Sequence, residues 1–165
     1  MHHGHRRRRD LDQTGATRRA QIRGRSPAGP STTLLEADGA GHWLADGAPA
    51  PHLDGCLDVD LESSAMTNAL PVRRMGLAPG AGAAAPAAYV RAAGLAAERL
   101  DQTYLHVPDE AAPHRYDYAA PGFGFTCQIT YDESGLVLDY PGIAIRAGNR
   151  GPAHSRWCTH TAGST

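Results

Sequence analysis

Hydrophobic and polar positions alternate most clearly in the stretch FGFTCQITYDESGLVLDY, in the last third of the chain. Apolar residues recur at every second position from Phe123 to Tyr131, the polar segment DESG interrupts them, and a second alternating run ends at Tyr140. Side chains in a β-strand point alternately to its two faces. The pattern therefore predicts a β-hairpin with an aromatic face that includes Phe125 and Ile129.

Two earlier stretches also predict strands. Residues 31–46, STTLLEADGAGHWLAD, combine a β-prone run, a glycine-containing turn and a return strand that begins near Trp43. Residues 56–62, CLDVDLE, alternate strictly, so Asp58 and Asp60 are expected on one face of a strand and the aliphatic residues between them on the other.

The next apolar run, NALPVRRMGL, predicts one more short strand. Pro71 lacks an N–H group, so the strand is expected to begin there or to lie at a sheet edge. Asn68 can hydrogen-bond its own backbone in the turn before it.

The paired aspartates allow three interpretations. In the favoured one, Asp58 or Asp60 forms a bidentate ion pair with Arg73 or Arg74 on the neighbouring strand, which ties the two strands together. In the second, the two carboxylates, about 6.6 Å apart along the strand, catalyse glycoside hydrolysis. In the third, they bind a hard cation, but no EF-hand-like spacing or histidine partner supports a metal site. The same arginine fork could instead bind an anionic head group.

Charge is distributed unevenly along the chain. Residues 1–25 contain eight arginines and two acids, a net charge of +6, and the rest contains eight arginines and fifteen acids, a net charge of −7, which together give −1. Residues 1–30 have almost no apolar periodicity and predict a disordered Arg/His-rich leader, and residues 148–165 predict a polar tail. No aromatic residue interleaves the arginines of the leader, which argues against nucleic-acid binding.

The remaining composition narrows the function classes. All 16 Lys or Arg positions are arginine, which excludes Schiff-base and P-loop lysine chemistry. No run of 18 apolar residues predicts a membrane-spanning helix. The three cysteines form no CxxC motif, so we expect free thiols in a reducing compartment, hence a cytoplasmic protein. No motif predicts a cofactor.

Three segments together resemble the putative glycolipid-binding family of bacterial proteins: the turn DGAGHW, the stretch GCLDVD with the following TNALPVRR, and GLVLDYPG. The resemblance spans residues 31–147 and implies a mainly β fold, an antiparallel sheet curved into an open half-barrel like that of periplasmic lipoprotein carriers. It implies strands over residues 87–105, although the alanines there favour a helix. Because the leader stands where the family has further strands, we expect an N-terminally truncated member.

The resemblance also implies a protein that binds a lipid or glycolipid on the concave face of the sheet, rather than an enzyme. The expected ligand contacts are Trp43, Arg73, Arg74, Phe123, Phe125, Ile129 and Tyr140. The expected structural motif comprises Asp58, Asp60, Asn68 and Pro71. Two alternatives stay open, a carbohydrate-active enzyme that uses the paired aspartates and a non-functional remnant. An incomplete half-barrel would also expose a sheet edge, which predicts self-association.

Overall fold

A computed structural model of the protein describes residues 6–26, 29–62, 64–109, 114–147 and 159–160. Its strands are β1 (Arg6–Leu11), β2 (Thr17–Ser26), β3 (Gly29–Ala37), β4 (Trp43–Ala45), β5 (Ala48–Pro49), β6 (Asp58–Leu61), β7 (Gly82–Ala84), β8 (Ala87–Val90), β9 (Ala97–Leu100), β10 (Thr103–His106), β11 (Arg115–Ala120), β12 (Phe125–Tyr131), β13 (Val137–Tyr140), β14 (Ala144–Ile145) and β15 (Thr159–His160). The described part has one α-helix, α1 (Ala69–Met75), and 3₁₀ turns at Pro51–Leu53, Ala65–Asn68 and Pro121–Phe123. The predicted mainly β fold with open antiparallel sheets is confirmed. No helix in these ranges is long and apolar enough to cross a membrane.

The chain divides into two compact units, which we describe separately. The first unit comprises Met1–Ser64 and Pro86–Arg99, and the second comprises Ala65–Ala85 and Leu100–Thr165. In the first, strands β1 to β5 form an antiparallel sheet in chain order, and a smaller sheet has the order β6-β8-β9, in which β6 and β8 are parallel. In the second, the order is β14-β13-β12-β11-β10-β7, and β15 also pairs with β12.

The predicted disordered leader is wrong for residues 6–26, which form strands β1 and β2. Ala20 and Ile22 are buried, whereas Arg19 and Arg23 are exposed, so β2 does follow a period of two. The small apolar side chains are outnumbered by arginines, which hides this alternation in the composition. Residues 1–5 lie outside the described residues.

The core of the first unit is built from both of its sheets. Its largest buried side chain, Trp43, is 2 % exposed, and its indole Nε1 donates a hydrogen bond of 3.0 Å to the carbonyl oxygen of Cys56. The predicted hairpin of residues 31–46 is confirmed, because β3 and β4 pair with Ala37 opposite Trp43. Asp38 closes the turn by accepting hydrogen bonds from the backbone N–H groups of Ala40 and His42.

The strand predicted for residues 68–77 is wrong, because this stretch forms α1 after a 3₁₀ turn. Pro71 lies in the first helical turn, where a backbone N–H has no partner within the helix and its absence costs no hydrogen bond. Gly76 ends the helix in the left-handed conformation, with φ of 53°, and its N–H donates to the carbonyl oxygen of Val72. Buried Ala69 and Val72 are three residues apart, a helical rather than a strand spacing.

Two other expectations, about residues 87–105 and about the tail, have different outcomes. The strands implied for residues 87–105 are confirmed by β8, β9 and β10. The polar tail lies mostly outside the described residues, but Thr159–His160 form strand β15 beside β12. Tertiary pairing overrides the helix propensity of the alanines.

The hairpin of β12 and β13 is confirmed, with two corrections to its side-chain pattern. Phe123 lies in a 3₁₀ turn before β12 and is not part of the strand. The register between the strands shifts between Thr130 and Tyr131, and such an irregularity changes the phase of the alternation. Val137 and Tyr140 are therefore the buried residues of β13, whereas Leu138 is half-buried.

Candidate functional site

One face of the long sheet in the second unit is lined with aromatic rings. The strand register explains this, because β10, β11 and β12 place Tyr104 opposite Tyr118 and Tyr118 opposite Cys127. Residues that are directly paired point to the same side of a sheet. We call this surface the aromatic face, and it comprises Tyr104, Tyr116, Tyr118, Phe125, Tyr131 and Tyr140.

The rings of the aromatic face contact one another across neighbouring strands. The ring centroids of Tyr104 and Tyr118 are 5.1 Å apart, and those of Tyr116 and Tyr131 are 5.4 Å apart in an edge-to-face arrangement. Such pairs contribute about 0.5–1.5 kcal/mol each beyond the burial of their area. The face is therefore a rigid surface.

The tyrosine hydroxyl groups are anchored by polar partners in the same unit. Tyr118 donates to Gln102 Oε1 at 2.9 Å, and Asn68 Nδ2 donates to the hydroxyl oxygen of Tyr104 at 2.9 Å. Tyr131 donates to the carbonyl oxygen of Asn68 at 3.2 Å. Asn68 thus contacts two tyrosines of the aromatic face, and its side chain does not cap the helix that follows it.

His106 extends the aromatic face at one end. It stacks on Tyr116 with centroids 4.5 Å apart, and its Nδ1 lies 2.6 Å from the carbonyl oxygen of Leu77. Burial raises the pKa of the Tyr116 hydroxyl, because the phenolate would lose its hydration. Tyr116 therefore stays neutral at physiological pH.

At the opposite end the aromatic face reaches solvent. Phe125 is half-buried and contacts Tyr118 and Tyr140 at centroid distances of 6.1 Å each. Its register partners are the small Ala120 of β11 and His160 of β15. Phe123 is 39 % exposed in the turn just before β12. We call Phe123, Phe125 and Tyr140 the aromatic margin.

The two arginines predicted to bind a ligand lie near the C-terminal end of α1. Arg73 is exposed and Arg74 is half-buried. The stem of Arg73 lies over Gly135 in the β12–β13 turn, so closely that a Cβ atom there would be 2.8 Å from Arg73 Cγ. Because these arginines are on a helix, the strand pairing that motivated their predicted ion pairs with Asp58 and Asp60 is wrong.

The aspartates themselves lie on β6 and are almost completely buried, Asp58 being 1 % exposed and Asp60 7 %. Their paired neighbours are Ala87 and Tyr89 of the parallel strand β8. Buried carboxylates usually have a structural role, whereas a group that cleaves a sugar must reach it. An ion pair between either aspartate and Arg73 or Arg74 stays a prediction.

Comparison with known proteins gives one decisive match. The model of a family described as putative glycolipid-binding matches residues 8–146. The chain belongs to this family. No curated protein matches it.

The family fold also occurs in a solved structure. The chain is 39 % identical to a DUF1089 family protein from Pseudomonas aeruginosa, with a TM-score of 0.75 over 86 % of this chain and 75 % of that one. The match to the putative glycolipid-binding family begins at residue 8 and therefore includes most of β1 and all of β2. The predicted domain start at residue 31 is therefore too late.

The turn that carries part of the family resemblance holds an exposed ion pair. His42 Nδ1 lies 2.9 Å from Asp38 Oδ2. The hydrogen bonds from His42 lower the pKa of Asp38 to about 2, and the Asp38 carboxylate raises the pKa of His42. The pair fastens the hairpin turn, and it is the next residue, Trp43, that enters the core.

The expected ligand contacts of the family member thus separate into two groups. Trp43 is a core residue of the first unit, and Ile129 is fully buried beneath the aromatic face. In the aromatic margin, Phe123 is exposed and Phe125 is half-buried, whereas Tyr140 is buried behind them. The described residues contain no group of three or more His, Cys, Asp or Glu side chains arranged to hold a metal ion.

Sequence reasoning did not single out Gln102 and His106 as parts of this site. Gln102 lies outside any strand, so no periodicity marks it. The stretch TYLH of β10 does alternate, with Tyr104 and His106 buried between exposed residues. That signal covers four residues, too few to distinguish a strand from the surrounding loops.

Proposed function

We propose that this protein binds a lipid or glycolipid without chemically changing it, and that the aromatic margin is where the ligand's apolar part lies. The observation that supports this is the exposed ring surface of Phe123 beside the half-buried Phe125. Aromatic rings provide a large apolar area at a low cost in conformational entropy. The family name points to the same ligand class.

Chemistry at the other end of β12 suits the head group of an amphipathic ligand, because Arg73 lies over the turn that follows Tyr131, about 20 Å along the strand from Phe125. An acyl chain can cover the rings of the aromatic margin, while the guanidinium groups of Arg73 and Arg74 are proposed to bind an anionic or hydroxyl-rich head group. Ile129 would form part of the packed floor beneath the rings.

Two further features bear on cellular context and on alternative functions. The buried thiols of Cys56 and Cys127 suit a reducing compartment, which supports our proposal of a cytoplasmic location. The burial of Asp58 and Asp60 favours binding over carbohydrate hydrolysis. Self-association through a sheet edge stays a prediction.

Titration with a fluorescent fatty acid tests the proposal, with Phe123→Ala as the decisive variant. A fully buried phenylalanine removes about 150–250 Å² of surface from water. Phe123 is 39 % exposed, so a ligand that covers it would bury roughly 60–100 Å² more, which is worth about 2 kcal/mol at 25 cal/mol per Å². The dissociation constant should therefore rise by up to about thirtyfold. Phe123 is exposed, so the melting temperature should stay nearly unchanged.

Leu105→Ala is the matched control. Leu105 is 42 % exposed, close to the exposure of Phe123, but it alternates with Tyr104 and His106 and so points away from the aromatic face. This variant should bind the probe like the wild-type protein. No probe binding by the folded wild-type protein, or an equal loss in Phe123→Ala and Leu105→Ala, would overturn the proposal. If the fluorescent fatty acid binds as expected, mass spectrometry of lipids extracted from the purified protein would identify the natural ligand class.

A further inference from the structure

A second surface, on the first unit, has a different chemistry. The sheet of β1 to β5 buries one side of β2 in the core through Ala20 and Ile22. The other side of β2 presents Arg19, Arg23 and Arg25 to solvent. We call this side, together with the residues of β1 and β3 paired with it, the arginine face.

The strand register concentrates arginine positions at one end of this face. Arg6 of β1 is directly opposite Arg23, and Arg8 is directly opposite Gln21. Within β2, Arg23 and Arg25 are two residues apart, about 6.6 Å along the strand. Like charges that are directly opposed in a sheet are destabilising.

Acidic residues compensate only the other end of the arginine face. Arg19 is paired in register with Asp10 and Glu36, and its Nη1 lies 3.2 Å from Glu36 Oε1. In the part of the chain that the structure describes, Arg23 contacts only Gln21, at 3.5 Å, and neither Arg23 nor Arg25 forms an ion pair. Their β3 neighbours are uncharged, Thr32 opposite Arg23 and Pro30 opposite Arg25. Among the described side chains, Arg23 and Arg25 therefore have no acidic residue paired with them in the sheet.

We propose that the arginine face docks the protein on an anionic lipid bilayer. Each arginine near such a surface strengthens binding about fivefold, and Arg23 and Arg25 are both exposed at the end of β2 that has no acidic residue in register. Leu34, paired with Gln21, is half-buried, and Leu44, paired with Glu36, is exposed; both lie on the same side of the sheet towards its other end, where apolar side chains can enter the head-group region. The inference goes beyond the proposed lipid binding and stands without it.

A bilayer suits this surface better than a nucleic acid does. Proteins that bind single-stranded nucleic acids stack bases on aromatic side chains, and the described side chains of β2 and β3 on this face include none. Base-specific binding of duplex DNA needs a helix or a two-stranded ribbon that enters a groove, whereas this face is the side of a five-stranded sheet.

Vesicle co-sedimentation of the full chain tests the proposal, with phosphatidylcholine vesicles that contain or lack phosphatidylserine. The wild-type protein should bind only the anionic vesicles, and binding should weaken as salt is raised. Arg23→Gln combined with Arg25→Gln should weaken binding about thirtyfold. Both arginines are exposed, so circular dichroism should show an unchanged fold.

Ala93→Glu combined with Ala96→Glu is the matched control. It lowers the net charge by the same two units in the exposed β8–β9 turn, away from the five-stranded sheet. This variant should keep most of the vesicle binding. Equal weakening in both double variants, binding of neutral and anionic vesicles alike, or no vesicle binding would overturn the proposal. Tighter binding of an oligonucleotide than of anionic vesicles at the same salt would also overturn it.

The two binding proposals can fail separately. Arg23→Gln with Arg25→Gln should leave titration with the fluorescent fatty acid unchanged, because these residues belong to the first unit and the aromatic margin to the second. Phe123→Ala should leave sedimentation with anionic vesicles unchanged. If the Phe123 variant loses vesicle binding as well, the arginine face is not the docking surface.

Discussion

Replacing Ile22 by alanine should destabilise the first unit strongly, although Ile22 lies in the most arginine-rich part of the chain. Ile22 is 2 % exposed and belongs to the core that contains Leu35 and Trp43. Replacing a buried isoleucine by alanine costs about 2–5 kcal/mol, which combines the lost transfer free energy with the cavity left behind. For a chain of this size the melting temperature should fall by roughly 5–15 °C.

The assay can be restricted to the first unit. Trp43 is in its core, and a background with Trp157→Phe makes Trp43 the remaining tryptophan, so its fluorescence during thermal or urea unfolding reports on this unit. Arg23→Ala is the control, because its exposed side chain should change stability by no more than about 0.5 kcal/mol. If Ile22→Ala and Arg23→Ala shift the transition equally, residues 17–26 are not part of the folded core.

Two other predictions concern turns. Gly135→Ala should destabilise the β12–β13 turn by about 1–2 kcal/mol, because φ is 71° there and the new Cβ would clash with Arg73 Cγ. In a thermal melt, adding Arg73→Ala should restore only the part of the lost stability that comes from the clash. The ion pair between Asp38 and His42 should stabilise its turn mainly between about pH 4 and 6.5. Because the pKa of Asp38 is lowered, the pair loses its stabilising effect as the pH falls towards about 2 and the carboxylate is protonated. Because the pKa of His42 is raised, the effect is also lost as the pH rises through the raised pKa of His42 and the imidazole loses its proton. In an NMR titration Asp38→Asn should lower the pKa of His42, and an unchanged value would contradict the pairing.

The sequence predicts the strands of this protein where large apolar residues alternate over six or more positions. In β12, Cys127, Ile129 and Tyr131 are separated by polar residues, and the predicted buried face is the observed one. The phase of β13 could not be predicted, because the register shift near Tyr131 depends on pairing between strands and not on either strand alone. Continuing the alternation of β12 through the loop predicts Leu138 on the buried face, whereas the structure buries Val137.

The helix α1 was missed because its sequence is compatible with two structures. The segment from Ala69 to Met75 is short, and Pro71 was interpreted as the start of an edge strand, although proline is equally acceptable in the first turn of a helix. A helix is distinguished from an edge strand here by the burial of Ala69 and Val72, three residues apart, while Arg73 is exposed. This burial pattern can be seen only in the folded structure. The hypothesis that Asp58 and Asp60 form ion pairs across a strand pair assumed that Arg73 and Arg74 lie on a strand, so its geometry was wrong for the same reason.

The first strands show how composition can mask a period-two pattern. In β2 the buried side chains are small or of moderate size, Ala20 and Ile22 among them, and the exposed ones are mostly arginines. A search for apolar residues finds too few, but a search for alternation between charged and uncharged positions finds Arg19, Arg23 and Arg25 at even spacing. Three of the four arginines of β2 share one phase, whereas Arg18 has the opposite phase and pairs with Asp12 at 2.7 Å. A strand that presents one face to an anionic surface needs such a set of arginines in phase. The same alternation thus argues for both the strand and the docking surface that we propose.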